Sequence, residues 1–252
     1  MRCSFVTATL LAAQLVGVLG LRCAQAQGYL RRPLVLPKGT VRIDVGPSDY
    51  GYMDHGFLNE DRGFRVQDAG DDVALSLGGG LAYGLGRGFE LGGLVMPLQF
   101  SPGTDVGDLE AYGRYGLSSA ISLQATLQIP TQTEVGLGLG MPVVLQLGGG
   151  GRIETGVELE FIFVDDTIAN LDAPIAFQFA VGGNLFLGLR TGVLLVDFDE
   201  AVINLGVQGG ATVTPEFDLT VAFNFPYFLQ TGPGDTVQLD GWEFTVGANI
   251  FL

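Results

Sequence analysis

Residues 134–147 read EVGLGLGMPVVLQL. Val135, Leu137, Leu139, Met141, Val143, Leu145 and Leu147 alternate with Glu134, Gly136, Gly138, Gly140, Pro142, Val144 and Gln146. A period of two places one set on each face of a β-strand. One face is bulky and apolar; the other is small or polar. In a soluble sandwich the bulky face fills the core and its opposite must solvate the sheet. A row of glycines solvates poorly, but it suits the inside of a barrel whose outer wall meets lipid.

The pattern continues in both directions. Ile121, Leu123, Ala125, Leu127 and Ile129 alternate with Ser122, Gln124, Thr126 and Gln128, and Ile153, Thr155, Val157, Leu159, Phe161 and Phe163 with Arg152, Glu154, Gly156, Glu158 and Glu160. Phe217 to Phe228 and Trp242 to Leu252 repeat it. The alternation predicts twelve strands near residues 40–45, 72–85, 89–100, 108–117, 119–129, 135–147, 152–164, 175–182, 185–195, 201–213, 217–228 and 242–252. Between them, long connections at 46–71, 101–107, 130–134, 165–174, 196–200 and 229–241 take turns with tight ones. The expected fold class is therefore all-β: a single transmembrane, antiparallel, up-and-down β-barrel of twelve strands, with long extracellular loops and short periplasmic turns.

Composition agrees. Of 252 residues, 47% are hydrophobic and only 15% charged, too little polar surface for a soluble domain. After residue 26 there is no apolar run of about 18 residues, so the apolar content is not a transmembrane helix. Residues 1–26 have the parts of a cleavable signal peptide: Met1-Arg2, an apolar stretch from Phe5 to Leu21, and Ala24-Gln25-Ala26. A periplasmic tail at 27–39 and a barrel over 40–252 would follow. Both cysteines, Cys3 and Cys23, lie in the removed segment, which excludes disulfides, thiolate metal sites and cysteine nucleophiles from the mature chain. Arg22 stands where lipidation of Cys23 would require a small residue.

Formal net charge is −15, and the acids concentrate in the long connections, whereas Arg31, Arg32, Lys38 and Arg87 fall at the other end. Phe161, Phe163, Phe177, Phe225, Tyr227, Trp242 and Phe244 share the lipid-facing parity near the long-loop ends, as an aromatic girdle requires. On these residues the chain resembles the porin-like outer-membrane β-barrels of Gram-negative bacteria, over residues 40–252. The resemblance is architectural and implies export by the general secretory route and insertion by the barrel assembly machinery. It also implies contact with outer-membrane lipid and lipopolysaccharide. The terminal Phe251-Leu252 departs from the class, since Leu252 has the lipid parity and Phe251 faces inward.

No catalytic signature accompanies the fold. His55 beside Asp54 lacks the acidic pair or serine that hydrolysis would need. The glycine clusters at 78–80 and 148–151 are not followed by Gly-Lys-Ser/Thr, and the acidic groups around Asp165-Asp166 and Asp197 match no calcium-loop spacing. No enzyme activity, cofactor or metal site is expected, and the acidic balance disfavours nucleic acid.

Inward parity gathers the polar chemistry. Arg42, Asp44, Glu110, Tyr112, Arg114, Gln124, Gln128, Arg152, Glu154, Glu158, Glu160, Gln178 and Arg190 should line the lumen. They would either pair into a plug or border a polar passage. Tyr50, Tyr52, His55, Phe57, Arg62, Phe64 and Arg65 in connection 46–71 are candidates for a constriction. The leading expectation is a passive diffusion channel for small, cation-preferring solutes, narrowed by that loop. The alternatives are a plugged structural or surface-interaction barrel, and an uptake channel for apolar small molecules.

Overall fold

A computed structural model describes residues 28–45, 64–69, 72–94, 98–101, 105–106, 109–129, 135–148, 150–163, 167–231, 236–237 and 242–252. Residues 1–26, expected as a signal peptide, lie outside the described residues. Among those described, the strands form a closed antiparallel barrel of twelve wall positions. We label them β1 (Val41–Val45, then Phe64–Ala69), β2 (Asp72–Leu77 and Gly79–Gly86), β3 (Phe89–Leu94 and Leu98–Ser101), β4 (Asp105–Val106 and Leu109–Gly116), β5 (Ser122–Ile129) and β6 (Val135–Leu147). The circuit continues through β7 (Gly151–Phe163), β8 (Ile168–Ala180), β9 (Leu185–Val196), β10 (Glu200–Thr214), β11 (Phe217–Gln230) and β12 (Thr236–Val237 and Glu243–Phe251). Each strand pairs with its neighbour in sequence, and β12 pairs back on β1, with Arg42 opposite Phe251 and Phe64 opposite Val246. Among the described residues the circuit closes on itself, so the sheet has no terminal strand.

The predicted alternation appears as alternating burial. In β6, Gly136, Gly138, Pro142 and Val144 are buried, whereas Val135, Leu137, Leu139, Met141 and Leu145 are exposed. Leu81, Leu91, Leu123, Leu187, Leu189 and Val207 continue the exposed belt around the barrel. Water would penalise so large a contiguous apolar surface, whereas hydrocarbon accepts it. Leu139 lies mid-strand and is 51% exposed. Leu139→Arg should therefore lower stability by about 2–4 kcal/mol in lipid vesicles, read from the denaturant midpoint. An unchanged midpoint would place Leu139 away from lipid.

Three expectations need correcting. Phe64 and Arg65, assigned above to a loop, belong to β1, where they oppose Val246 and Thr245. The first strand piece runs to Val45, and the wall position is taken up again at Phe64, leading to β2 with residues 70–71 between. Second, β8 begins at Ile168 rather than 175. Asn170, Asp172 and Pro174 interrupt the apolar reading there, but they occupy inward positions where polarity is tolerated, so the expected connection 165–174 is largely wall.

The third concerns the periplasmic tail expected at 27–39, of which residues 28–39 are described, with Thr40 leading into β1. They fold against inward-facing side chains at the end of the barrel that carries the tight turns and Leu252. Tyr29, Leu30, Leu34 and Leu36 are buried there, and Tyr29, Leu30 and Leu36 form one cluster with Phe186, Tyr112 and Phe251. Two prolines, Pro33 and Pro37, cannot donate to a ladder, so residues 28–38 form only the short 3-10 turn Tyr29–Arg31, and backbone pairing with the wall begins where Gly39 and Thr40 bond Gly84. Glycine makes room for it. A Cβ at Gly84 would strike the carbonyls of Leu36 and Pro37.

Candidate functional site: a lumen in two tiers

The lower tier, at the tight-turn end, is built from strand positions just inside the turns. Arg152, second residue of β7, donates from Nη1 to the carbonyls of Tyr29, Leu30 and Arg32 at 3.3, 3.4 and 2.9 Å. Its Nη2 lies 2.6 Å from the Glu154 carboxylate, which also accepts from Gln178 at 3.2 Å. Arg114 of β4 donates to the Leu34 carbonyl at 3.0 Å and to Gln124 Oε1 at 2.8 Å. Glu90 of β3 accepts the Leu36 N–H and the Tyr112 hydroxyl, both at 2.7 Å. Arg42 donates to Asp44 at 2.9 Å and to the Tyr112 hydroxyl at 3.1 Å. Arg32, from the segment itself, pairs with Asp218 at 3.1 Å, donates to the Pro215 carbonyl and lies 3.9 Å over the Phe251 ring. Thr212 accepts the Tyr29 N–H at 2.9 Å, and the Tyr29 ring stacks on Phe186 at 4.0 Å.

In this tier Arg32, Arg42, Arg114 and Arg152 meet Asp44, Glu90, Glu154 and Asp218, so the named charges balance. Buried charge is tolerable only when paired and hydrogen-bonded, and removal of one partner is costly. The N-terminal segment is therefore an integral part of the network. It supplies main-chain acceptors to two guanidinium groups and a donor to one carboxylate.

The upper tier differs. Glu160 of β7 accepts from Gln128 at 2.8 Å and from Asn170 at 3.4 Å. Glu243 accepts from Asn224 at 3.5 Å, and Glu200 from Gln230. Asp172 is buried, stands opposite Glu158 across the β7–β8 ladder, and has no hydrogen-bond donor for Oδ1. Carboxylates here are thus met by neutral amides, which satisfy lone pairs without cancelling charge. Among the described residues, no group of three or more His, Cys, Asp and Glu could hold a metal ion.

Of the thirteen residues assigned to the lumen, Arg42, Asp44, Glu110, Tyr112, Arg114, Gln124, Arg152, Glu154 and Gln178 are buried on the inner face, with Gln128, Glu158, Glu160 and Arg190 half-buried. Tyr50, Tyr52, His55, Phe57 and Arg62 lie outside the described residues. On the outer face, Phe163, Phe177 and Phe244 are exposed, and Phe161, Phe225 and Trp242 are half-buried. Tyr227 is in β11, its side chain outside the described set. Trp242 stacks with Phe223 at 6.2 Å, and at the other boundary Phe89 meets Tyr115 at 4.4 Å.

Sequence reasoning missed Tyr29, Leu36, Glu90, Phe186, Thr212 and Asp218. Parity alone could have found Glu90, Phe186 and Asp218, each flanked by outward apolar residues. Nothing local marks the segment 28–40 as buried.

The fold defined by this geometry is that of a twelve-strand porin-like outer-membrane barrel. The COG4313 outer membrane channel from Pseudomonas putida F1 matches with a TM-score of 0.58 at 14% identity, over 86% of this chain and 97% of that one. The NanC porin matches with a TM-score of 0.53 at 9% identity, over 83% and 98%. No protein-family model matches the chain. A search of curated protein sequences returns no match.

Proposed function

We propose that this chain is an outer-membrane channel for passive diffusion of small solutes, preferring cations, and that it performs no catalysis. The observation that carries this reading is the two-tier lumen. Uncompensated carboxylates at Glu160, Asp172 and Glu200 raise the local cation concentration and repel anions. A segment of thirteen residues closes the far end, continuous with the wall only through Val41. Acidic connections at the opposite end, taken as extracellular, extend the same field outward. Connection 46–63 narrows the lumen further through Tyr50, Tyr52, His55, Phe57 and Arg62. In support, it leaves and rejoins the wall part-way up, at Val45 and Phe64, opposite Ala248 and Val246.

The charge-balanced lower tier favours a second reading, a permanently plugged barrel with a structural or surface-binding role. Planar-bilayer recording separates the two. The channel reading predicts brief conductance steps from the purified full chain, with a reversal potential on the cation side in a KCl gradient. A barrel that stays silent even after its N-terminal anchors are replaced would establish the plugged reading.

A further inference from the structure

We propose that the lower tier is a binding site for basic peptides that enter with a short 3-10 turn, with residues 28–36 as its resident occupant. The wall holds this segment chiefly by its main chain. Four carbonyls, of Tyr29, Leu30, Arg32 and Leu34, accept from Arg152 and Arg114, while the N–H groups of Tyr29 and Leu36 donate to Thr212 and Glu90. Every peptide offers these groups, so recognition of this kind is largely independent of sequence. Two side-chain subsites add selectivity. Phe186 takes an aromatic ring, and Asp218 with Phe251 takes a guanidinium three residues later.

The wall groups are held in place by one another. Glu154 orients Arg152, Gln124 and Glu90 flank Arg114, and Tyr112 fixes Glu90. Such preorganisation means that a second peptide meets donors and acceptors already positioned. Charge points the same way. Residues 28–40 carry Arg31, Arg32 and Lys38 and no acid, within a chain of net charge −15. The resident has the advantage of a tether, which gives it an effective concentration of about millimolar order. An incoming peptide gains access once the resident's own anchors are weakened. The site does not depend on whether the lumen conducts.

The test uses the full chain carrying Tyr29→Ala, Arg32→Ala and Leu36→Ser, changes that leave the wall intact. A fluorescent synthetic peptide of residues 28–40 is titrated in detergent and read by anisotropy, with heat-modifiable gel mobility as the check on folding. Saturable binding is expected, at least about tenfold tighter than to the unmodified chain, whose site is occupied. A basic peptide of otherwise unrelated sequence, retaining an aromatic residue three positions before an arginine, should bind within about fivefold. Adding Arg152→Ala, or Asp218→Asn should the first variant fail to fold, should weaken binding at least tenfold. Absence of saturable binding, or binding indifferent to both wall substitutions, would overturn the proposal. Binding of the native sequence alone would reduce the site to a self-plug and overturn it equally.

Discussion

Arg152→Ala is expected to convert a mostly closed barrel into a mostly open one. The arginine makes three contacts to the segment's carbonyls and one short contact to Glu154. Its removal takes the guanidinium away from buried Glu154, to which Gln178 still donates, and leaves the plug without its main anchor. Loss of one member of a buried pair costs about 3–5 kcal/mol. If even about 3 kcal/mol of that falls on the closed state, the closed-to-open ratio drops by roughly a hundredfold, since 1.4 kcal/mol is a factor of ten. Single-channel open probability measures it directly. Arg152→Lys is the informative companion. It keeps the charge beside Glu154, but an ammonium lacks the planar fork that reaches several carbonyls at once, so an intermediate open probability is expected. If both variants remain as closed as the parent, Arg152 does not hold the gate.

The second large effect belongs to the upper tier. Glu160→Gln with Asp172→Asn exchanges two inward carboxyl groups for amides of the same shape, at the loss of one of the two bonds that Glu160 accepts, because an amide accepts through a single oxygen. Gln128 and Asn170 already satisfy Glu160, and Asp172 Oδ1 has no donor to lose. The double variant should fold normally, and its reversal potential in a KCl gradient should move at least half-way toward zero. Conductance steps should persist. Neutralising the exposed acids Asp197 and Asp199 should matter less, because screening in water weakens exposed charges over about 8 Å at physiological salt. The opposite ranking would move selectivity from the wall to the mouth.

How legible all this was depends on whether a residue's partner lies in its own strand. The β6 boundaries, Val135–Leu147, follow directly from the period-two pattern, because inside and outside differ in every pair of residues. The start of β8 does not. Asn170, Asp172 and Pro174 look like a loop when apolarity is the criterion, and only the barrel interior explains their tolerance. The first wall position was harder still, since Gly46-Pro47 reads in the sequence as a strand stop, while the wall position has a second strand piece at Phe64–Ala69. The segment 28–40 has no periodicity at all. Tyr29, Leu30, Leu34 and Leu36 become a core only through wall residues such as Glu90, Arg114, Arg152 and Phe186, which lie far along the chain. Its clues, two prolines and three basic residues ahead of the first strand, fit a solvated tail equally well. The paired lower tier and the amide-buffered upper tier were both present in the inward parity; their separation along the barrel axis was not.

The most direct test of the channel account is a pair of bilayer recordings, in a KCl gradient, of the unmodified full chain and of the Tyr29→Ala, Arg32→Ala, Leu36→Ser chain. The account predicts rare brief openings from the first and sustained openings from the second, both reversing on the cation side. Silence from both, or sustained openings reversing on the anion side, would contradict it.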